Sequence, residues 1–151
     1  MAERIMRKDK KKRVLYFDDE SFISMALVKS LKFYDWDITF VDEINKLFKE
    51  LKDHKFDIII MDIMAPVPEI QNDFVCFTNA EINEMDEGMN TGVVLAKKIW
   101  RDIDSNLPIL FLSARRLDTI LLLPSNNRFD YIRKPVLVDD LNLILKELLS
   151  E

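Results

Sequence analysis

Short, nearly continuous apolar runs alternate along this chain with longer stretches in which apolar residues recur every three or four positions. The run from Phe56 to Asp62, with Ile58, Ile59, Ile60 and Met61 in succession, reads as a strand buried on both faces, because a half-exposed strand would alternate. Val14, Leu15, Tyr16 and Phe17 predict a second such strand, as do residues 108–112 and 129–132, while Trp36 to Val41 alternates and is rich in β-formers. Helical spacing fills the intervals. Phe22, Ile23, Ala26, Leu27 and Leu31 mark a helix from Ser21 to about Tyr34, and Ile44, Leu47, Phe48 and Leu51 mark one behind an Asp42 N-cap. Val93, Ala96, Ile99, Trp100 and Ile103 follow Thr91-Gly92, residues 117–123 form a short helix stopped by Pro124, and Leu141, Ile144, Leu145 and Leu148 mark a last helix. Five strands alternating with five helices predict an α/β, doubly wound, five-stranded parallel sheet with helices on both faces.

The regularity fails between Ile63 and Met89. This stretch holds Pro66, Pro68 and six carboxylates (Glu69, Asp73, Glu81, Glu84, Asp86, Glu87) but no Lys or Arg. A structureless connection of that length is unusual in a compact domain and is commonly functional or disordered. The apolar patch Phe74-Val75-Cys76-Phe77 predicts that part of it docks on the body, with local structure around 73–85.

Length places 151 residues, 48% of them hydrophobic, in one domain with a core of its own. Charge is unevenly spread. Residues 1–13 carry seven Lys or Arg against Glu3 and Asp9, so the remainder sums to −10 within a net charge of −5. Residues 1–12 are expected to be a basic flexible tail, and an acidic body from 13 to 151 argues against nucleic acid as the main partner. Cys76 is the single cysteine, which excludes an intramolecular disulfide and fits a reducing, cytoplasmic setting. No run approaches the length of a membrane span, and no apolar signal core opens the chain. His54, the only histidine, sits in a polar stretch and reads as a surface residue.

The polar residues that end the strands carry the chemistry. The first strand delivers Asp18 and Asp19, the third Asp62, the fourth Ser113 and the fifth Lys134, and a parallel sheet brings all of them to its carboxyl edge, where open α/β sheets place ligands. Taken singly, each is an ordinary strand or helix cap: Asp62 could simply start a loop, and Asp18-Asp19-Glu20 could be a solvated turn at a helix N-terminus. Together, three carboxylates can hold Mg²⁺, a lysine and a hydroxyl can bind the oxygens of a small anion, and one carboxylate can act as a nucleophile. Phosphoryl transfer needs that combination.

The chain resembles the CheY-like receiver domains of two-component response regulators over about residues 13–150. The likeness rests on Phe17-Asp18-Asp19-Glu20, Ile60-Met61-Asp62 with Pro66 beyond, Thr91-Gly92, Leu112-Ser113-Ala114 and Tyr131-Ile132-Arg133-Lys134-Pro135, all in the family's order. The resemblance implies a flavodoxin-like strand order 2-1-3-4-5 and a phosphorylation switch that is no enzyme in the ordinary sense, yet promotes its own phosphotransfer and dephosphorylation. By position, Asp62 matches the acceptor of a phosphoryl group from a phosphohistidine on a histidine kinase or histidine phosphotransfer protein. Asp18, Asp19, Asp62 and the backbone carbonyl of Met64 match the Mg²⁺ ligands. Ser113 matches the switch hydroxyl, Lys134 the phosphoryl-binding lysine and Tyr131 the aromatic whose rotamer follows the switch. Pro135 stands where the family often has a cis Lys-Pro bond.

This sequence departs from the family in several places. Gly92 lies thirty residues after Asp62 where about ten is usual, which defines an insertion of about 67–89 that either covers the phosphorylation pocket, selects partners, or is inert. Its acidity would disfavour small anionic phosphodonors. Ser125-Asn126-Asn127-Arg128 replaces a usual glycine, with asparagine able to supply a left-handed turn. Arg115 places a long cation near the phosphoryl site, where it is expected to modulate phosphoryl lifetime. The run Ile120 to Leu123 is apolar right round, so a homodimer or docking face built from the fourth helix, fifth strand and fifth helix is a further expectation. With the fifth helix ending the chain, signalling to a downstream protein target by contact or phosphorelay is expected. The runner-up reading is a pseudo-receiver, an interaction module that is not phosphorylated. A Mg²⁺-dependent phosphatase fits less well, because Asp62 lacks a second acid two residues on.

Overall fold

Three of the predicted strands show why their sequences do not alternate. In the computed structural model, which describes residues 10–114, 123, 124 and 126–150, β1 (Arg13–Phe17), β3 (Ile58–Met61) and β4 (Ile109–Ser113) lie at the centre of one sheet. Val14 to Phe17, Ile58 to Met61 and Ile109 to Ser113 are all 0–1% exposed, as strands covered on both faces must be. The edge strands β2 (Asp37–Val41) and β5 (Phe129–Arg133) are only half-buried and carry more polar residues. The order is β2-β1-β3-β4-β5 and every pairing is parallel, so the predicted α/β architecture and strand order hold.

Helices α1 (Ser21–Lys32), α2 (Ile44–Asp53), α3 (Asn79–Glu84), α4 (Thr91–Asp102) and α5 (Val138–Ser150) divide between the two faces. Successive side chains of a strand point to opposite sides, which sorts the core in two. Leu15, Phe17, Ile59, Met61, Ile109 and Phe111 pack with Leu47 and Phe48 of α2 and Val93, Ala96 and Ile99 of α4. Val14, Tyr16, Ile58, Ile60, Leu110 and Leu112 pack with Val28 and Leu31 of α1 and Leu141, Leu145 and Leu148 of α5. Trp36, just before β2, donates its indole Nε1–H to Asn142 Oδ1 of α5 at 2.8 Å, which satisfies two polar groups buried in that second core.

Some local expectations need correction. The α1 stripe holds only at its C-terminal end: Leu31 is buried and Leu27 packs on the core, but Phe22 and Ile23 are 94% and 68% exposed, and Ser24 and Val28 are buried in their place. At about 100° per residue, Phe22 lies roughly 180° round the helix from Leu31, so the two cannot share a face. Accordingly Phe22→Ser is expected to shift stability by no more than about 0.5 kcal/mol. Val28→Ala should cost about 2 kcal/mol through lost burial and a residual cavity, a contrast that urea denaturation midpoints can check. The N-cap of α2 is Glu43, without a side-chain cap; the Asp42 carboxylate instead accepts from Lys46 Nζ at 3.3 Å, four residues on. Positive φ belongs to Asp35, Asp86, Glu87 and Gly88, whereas Asn127 uses its amide Nδ2 to reach the Ser105 carbonyl at 3.0 Å. His54 is exposed and faces Glu50 at 3.8 Å. The basic tail through Asp9, the helix predicted over 117–123, apart from Leu123, and Arg115 lie outside the described residues.

The insertion has a fold of its own. Gln71 and Cys76 form an antiparallel bridge, and α3 opens with a capping box in which the Thr78 hydroxyl accepts from the Glu81 amide (3.1 Å) while Glu81 Oε1 accepts from the Thr78 amide (2.9 Å). A 3₁₀ turn (Asp86–Gly88) then leads into α4. Val75 and Phe77 are buried in the α2 and α4 core, with Phe77 edge-on to Phe48 at 6.3 Å, whereas Phe74 and Cys76 are exposed.

Candidate functional site

Strand register builds the site. Pairing of Phe17 with Met61 puts Asp18 and Asp62 side by side one step beyond the strand ends, and the Asp62 amide donates to the Phe17 carbonyl (3.1 Å), extending the ladder to the acids themselves. Ser113 ends β4 opposite Arg133, and the Lys134 amide donates to the Ser113 carbonyl at 2.9 Å, which turns Lys134 over the same edge. Asp18 is 1% and Asp62 5% exposed, Ser113 is fully buried, and Asp19 faces solvent.

Carboxylate oxygens of Asp18, Asp19 and Asp62 lie within 4.8 Å of one another. Lys134 Nζ contacts Asp18 Oδ2 at 2.8 Å and stands 3.8 Å from Asp62 Oδ1, while Asp18 Oδ1 accepts from the Glu20 amide at 2.9 Å. Burial, followed by the neighbouring Asp18 charge, pushes the Asp62 carboxyl up to about 8, with Lys134 pulling the other way. For Lys134, burial lowers the pKa but the bond to Asp18 and the charges of Asp62 and Asp18 outweigh it, so the net displacement is upward. Three clustered carboxylates, two of them buried and sharing one ammonium, form an oxygen-only donor set with more negative charge than its protein partners balance. That is the chemistry of a hard-cation site, and it fits Mg²⁺.

Of the other residues predicted for the site, Tyr131 is half-buried on β5 and its hydroxyl meets the Ser113 carbonyl at 3.4 Å. Met64 is 37% exposed in the loop two residues after Asp62. Pro135 follows Lys134 through a cis peptide bond and lines, with Val136, Leu137 and Ile23, an apolar groove between α1 and the loop after β5. The insertion lies beside the acids: Ala65 to Glu69 wall a groove whose opposite side is Asp19, Asp42 and Glu43, and residues beyond Val75 pack away on α2 and α4.

Two contributors were not singled out for these roles by sequence reasoning. The Thr91 hydroxyl donates to the Ala65 carbonyl at 2.6 Å, a fully internal bond across the insertion. Gly92 packs directly on the backbone of Asp62 and Ile63. The pair Thr91-Gly92 was visible as a helix start, but nothing in the spacing tells that its backbone touches the loop behind Asp62.

No family model matches the chain. A two-component response regulator-like protein of Arabidopsis thaliana, APRR4, is 25% identical over 142 residues; the match takes in 92% of this chain but spans only 40% of that relative's length. Among solved structures, the chemotaxis protein CheY4 of Vibrio cholerae superposes with a TM-score of 0.69 at 16% identity, over 92% of this chain and 99% of that one. A response regulator from Thermotoga maritima gives 0.66 at 18% identity, over 94% and 100%. The receiver domain of the sensor histidine kinase PA1611 from Pseudomonas aeruginosa, which has a magnesium ion coordinated in its active-site cleft, gives 0.62 at 18%, again over 94% and 100%. Over nearly its whole length, this chain has the fold of CheY-like response-regulator receiver domains.

Proposed function

We propose that the chain is a phosphorylation-dependent receiver of a two-component system, with Asp62 as acceptor. The observation that carries this reading is the buried Asp62 carboxylate held beside Asp18, Asp19 and Lys134 at one sheet edge. In the proposed step an Asp62 oxygen attacks the phosphorus of a phosphohistidine on a kinase or phosphotransfer protein. The O–P bond forms, the P–N bond breaks, and the imidazole leaves with the electron pair and takes up a proton. Asp18, Asp19, Asp62 and the Met64 carbonyl would hold Mg²⁺, which when bound neutralises charge on the transferring group. Lys134 places a fixed ammonium on the equatorial oxygens, and the Ser113 hydroxyl donates to one of them, with Tyr131 following through its contact at Ser113. Return of the group to water would regenerate the carboxylate.

A partner protein is the expected donor. Among the described residues no helix is long and apolar enough to cross a membrane, and the exposed Ile23 and Leu137 line a groove with Glu20 and Lys134, where a protein surface can bury them. The downstream readout is protein contact or relay.

The test is to add Mg²⁺ and beryllofluoride, a phosphoryl mimic, to wild type and to Asp62→Asn while recording amide spectra. Wild type should shift at Asp18 to Glu20, at Ser113 and Ala114 and at Lys134, and the variant should not. A wild type that gives no response overturns the reading in favour of an interaction module that is never phosphorylated.

A further inference from the structure

The end of the insertion and the first turn of α4 together pin the loop behind Asp62. Ala65 is held at both backbone groups, its amide donating to the Gly88 carbonyl (3.2 Å) and its carbonyl accepting from the Thr91 hydroxyl (2.6 Å). Ile63 is held as well, its carbonyl accepting from the Gly92 amide at 2.8 Å. Met64 thus lies between Ile63, held by the first turn of α4, and Ala65, held by both that turn and Gly88 at the far end of the insertion.

That far end is itself anchored. Met85 is fully buried, and its carbonyl accepts from the Gly88 and Asn90 amides at 3.1 and 2.9 Å. One turn earlier, Glu81 receives Lys98 Nζ of α4 at 3.2 and 3.3 Å, with both side chains only 11–13% exposed. The same ammonium lies 5.4 Å from the Phe77 ring centroid, and Arg101 adds a contact to Glu81 at 3.4 Å. Lys97 pairs separately with Glu84 at 2.6 Å, nearer the surface. The carboxylates of α3 therefore face the cations of α4 and not the acid cluster at the sheet edge.

We infer that the insertion, latched onto α4, completes a clamp: through the Glu81–Lys98 latch, Met85 and Gly88 it works with Thr91 at the start of α4 to fix the Asp62–Ala65 backbone in the geometry that binds the cation, with Thr91 as the principal positioning residue. This rests on the receiver reading given above, and it assigns the insertion a task other than covering the pocket. A chain segment that preorganises a ligand loop acts as an outer shell of the site, and loss of such support typically weakens metal binding by about 10–100-fold.

The experiment uses the full chain and Mg²⁺ alone, followed by amide shifts, together with amide hydrogen exchange. Thr91→Val keeps the shape and removes the donor; it should weaken Mg²⁺ on the order of tenfold and speed exchange of the Ala65 and Gly92 amides by a similar factor. Thr91→Ser restores the hydroxyl and should stay within about twofold of wild type in both measurements. Glu81→Gln combined with Lys98→Met removes the latch without leaving a buried charge and should move both readouts in the same direction; it decides the matter if Thr91→Val does not fold. Lys97→Ala, at the more exposed pair, should change neither. Exchange at Ala65 and Gly92 that stays at the wild-type rate in folded Thr91→Val or in the double variant overturns the clamp, whatever the Mg²⁺ result. Absence of any Mg²⁺ shift in wild type would instead count against the receiver reading, leaving the exchange comparison to decide the clamp on its own.

Discussion

Gly92→Ala should destabilise the protein by at least about 3 kcal/mol and disorganise the acid site in whatever fraction remains folded. A Cβ at this position would sit 2.1 Å from the Asp62 carbonyl oxygen, 2.7 Å from the Ile63 Cα and 2.9 Å from the Asp62 carbonyl carbon. All three are backbone atoms, so no side chain can swing aside to relieve the overlap. Either α4 lifts from the sheet, which opens the core around Val93 and Ala96, or the Asp62 backbone is pushed from its place and its carboxylate with it. The cause is space and not backbone conformation, which separates Gly92 from Gly88, where φ is +98° and any side chain is strained. Urea denaturation measures the first consequence and a Mg²⁺ titration at low denaturant the second. A denaturation midpoint equal to that of wild type would show that α4 and the Asp62 loop do not pack as described.

What could be read from sequence follows from how local each signal is. Ile58 to Met61 announced a strand covered on both faces because burial on both sides abolishes alternation, and the register that follows from a parallel sheet was enough to collect Asp18, Asp19, Asp62, Ser113 and Lys134 at one edge. The rotational phase of α1 was not legible, since Phe22 and Ile23 raise the apolar count of the window without lying on the buried side; only the tertiary packing of Val28 and Leu31 against β1 and β3 chooses the face. In the insertion, Thr78 and Glu81 spelled a capping box that could have located α3 to within a residue. Its partners on α4 could not be foreseen, because charge composition reports that the insertion is acidic and not that Lys97, Lys98 and Arg101 lie within reach of it.

Affinity for Mg²⁺ should rise about tenfold per pH unit between roughly pH 6 and 7 and level off above pH 8, because the cation must displace one proton from Asp62. In the metal-free protein, burial and then the Asp18 charge raise this carboxyl to about 8, against the attraction of Lys134, whereas in the unfolded chain it titrates near 3.9. Between these values the native state carries a proton that the unfolded state lacks. The stability associated with Asp62 is therefore fully present below about pH 4 and is lost as pH rises toward 8. Asp62→Asn fixes the neutral form, so without metal it should flatten that decline and exceed wild type in stability by several kcal/mol at pH 8, with the gap closing toward pH 4. With the cluster holding Mg²⁺ as proposed, saturating metal should restore wild type and do little for the variant, which lacks one of the three carboxylates. Titration calorimetry across pH 6–8 and urea midpoints with and without the metal measure both effects. A Mg²⁺ affinity independent of pH over that range would mean that Asp62 is already ionised in the empty cluster, with Lys134 outweighing both burial and Asp18.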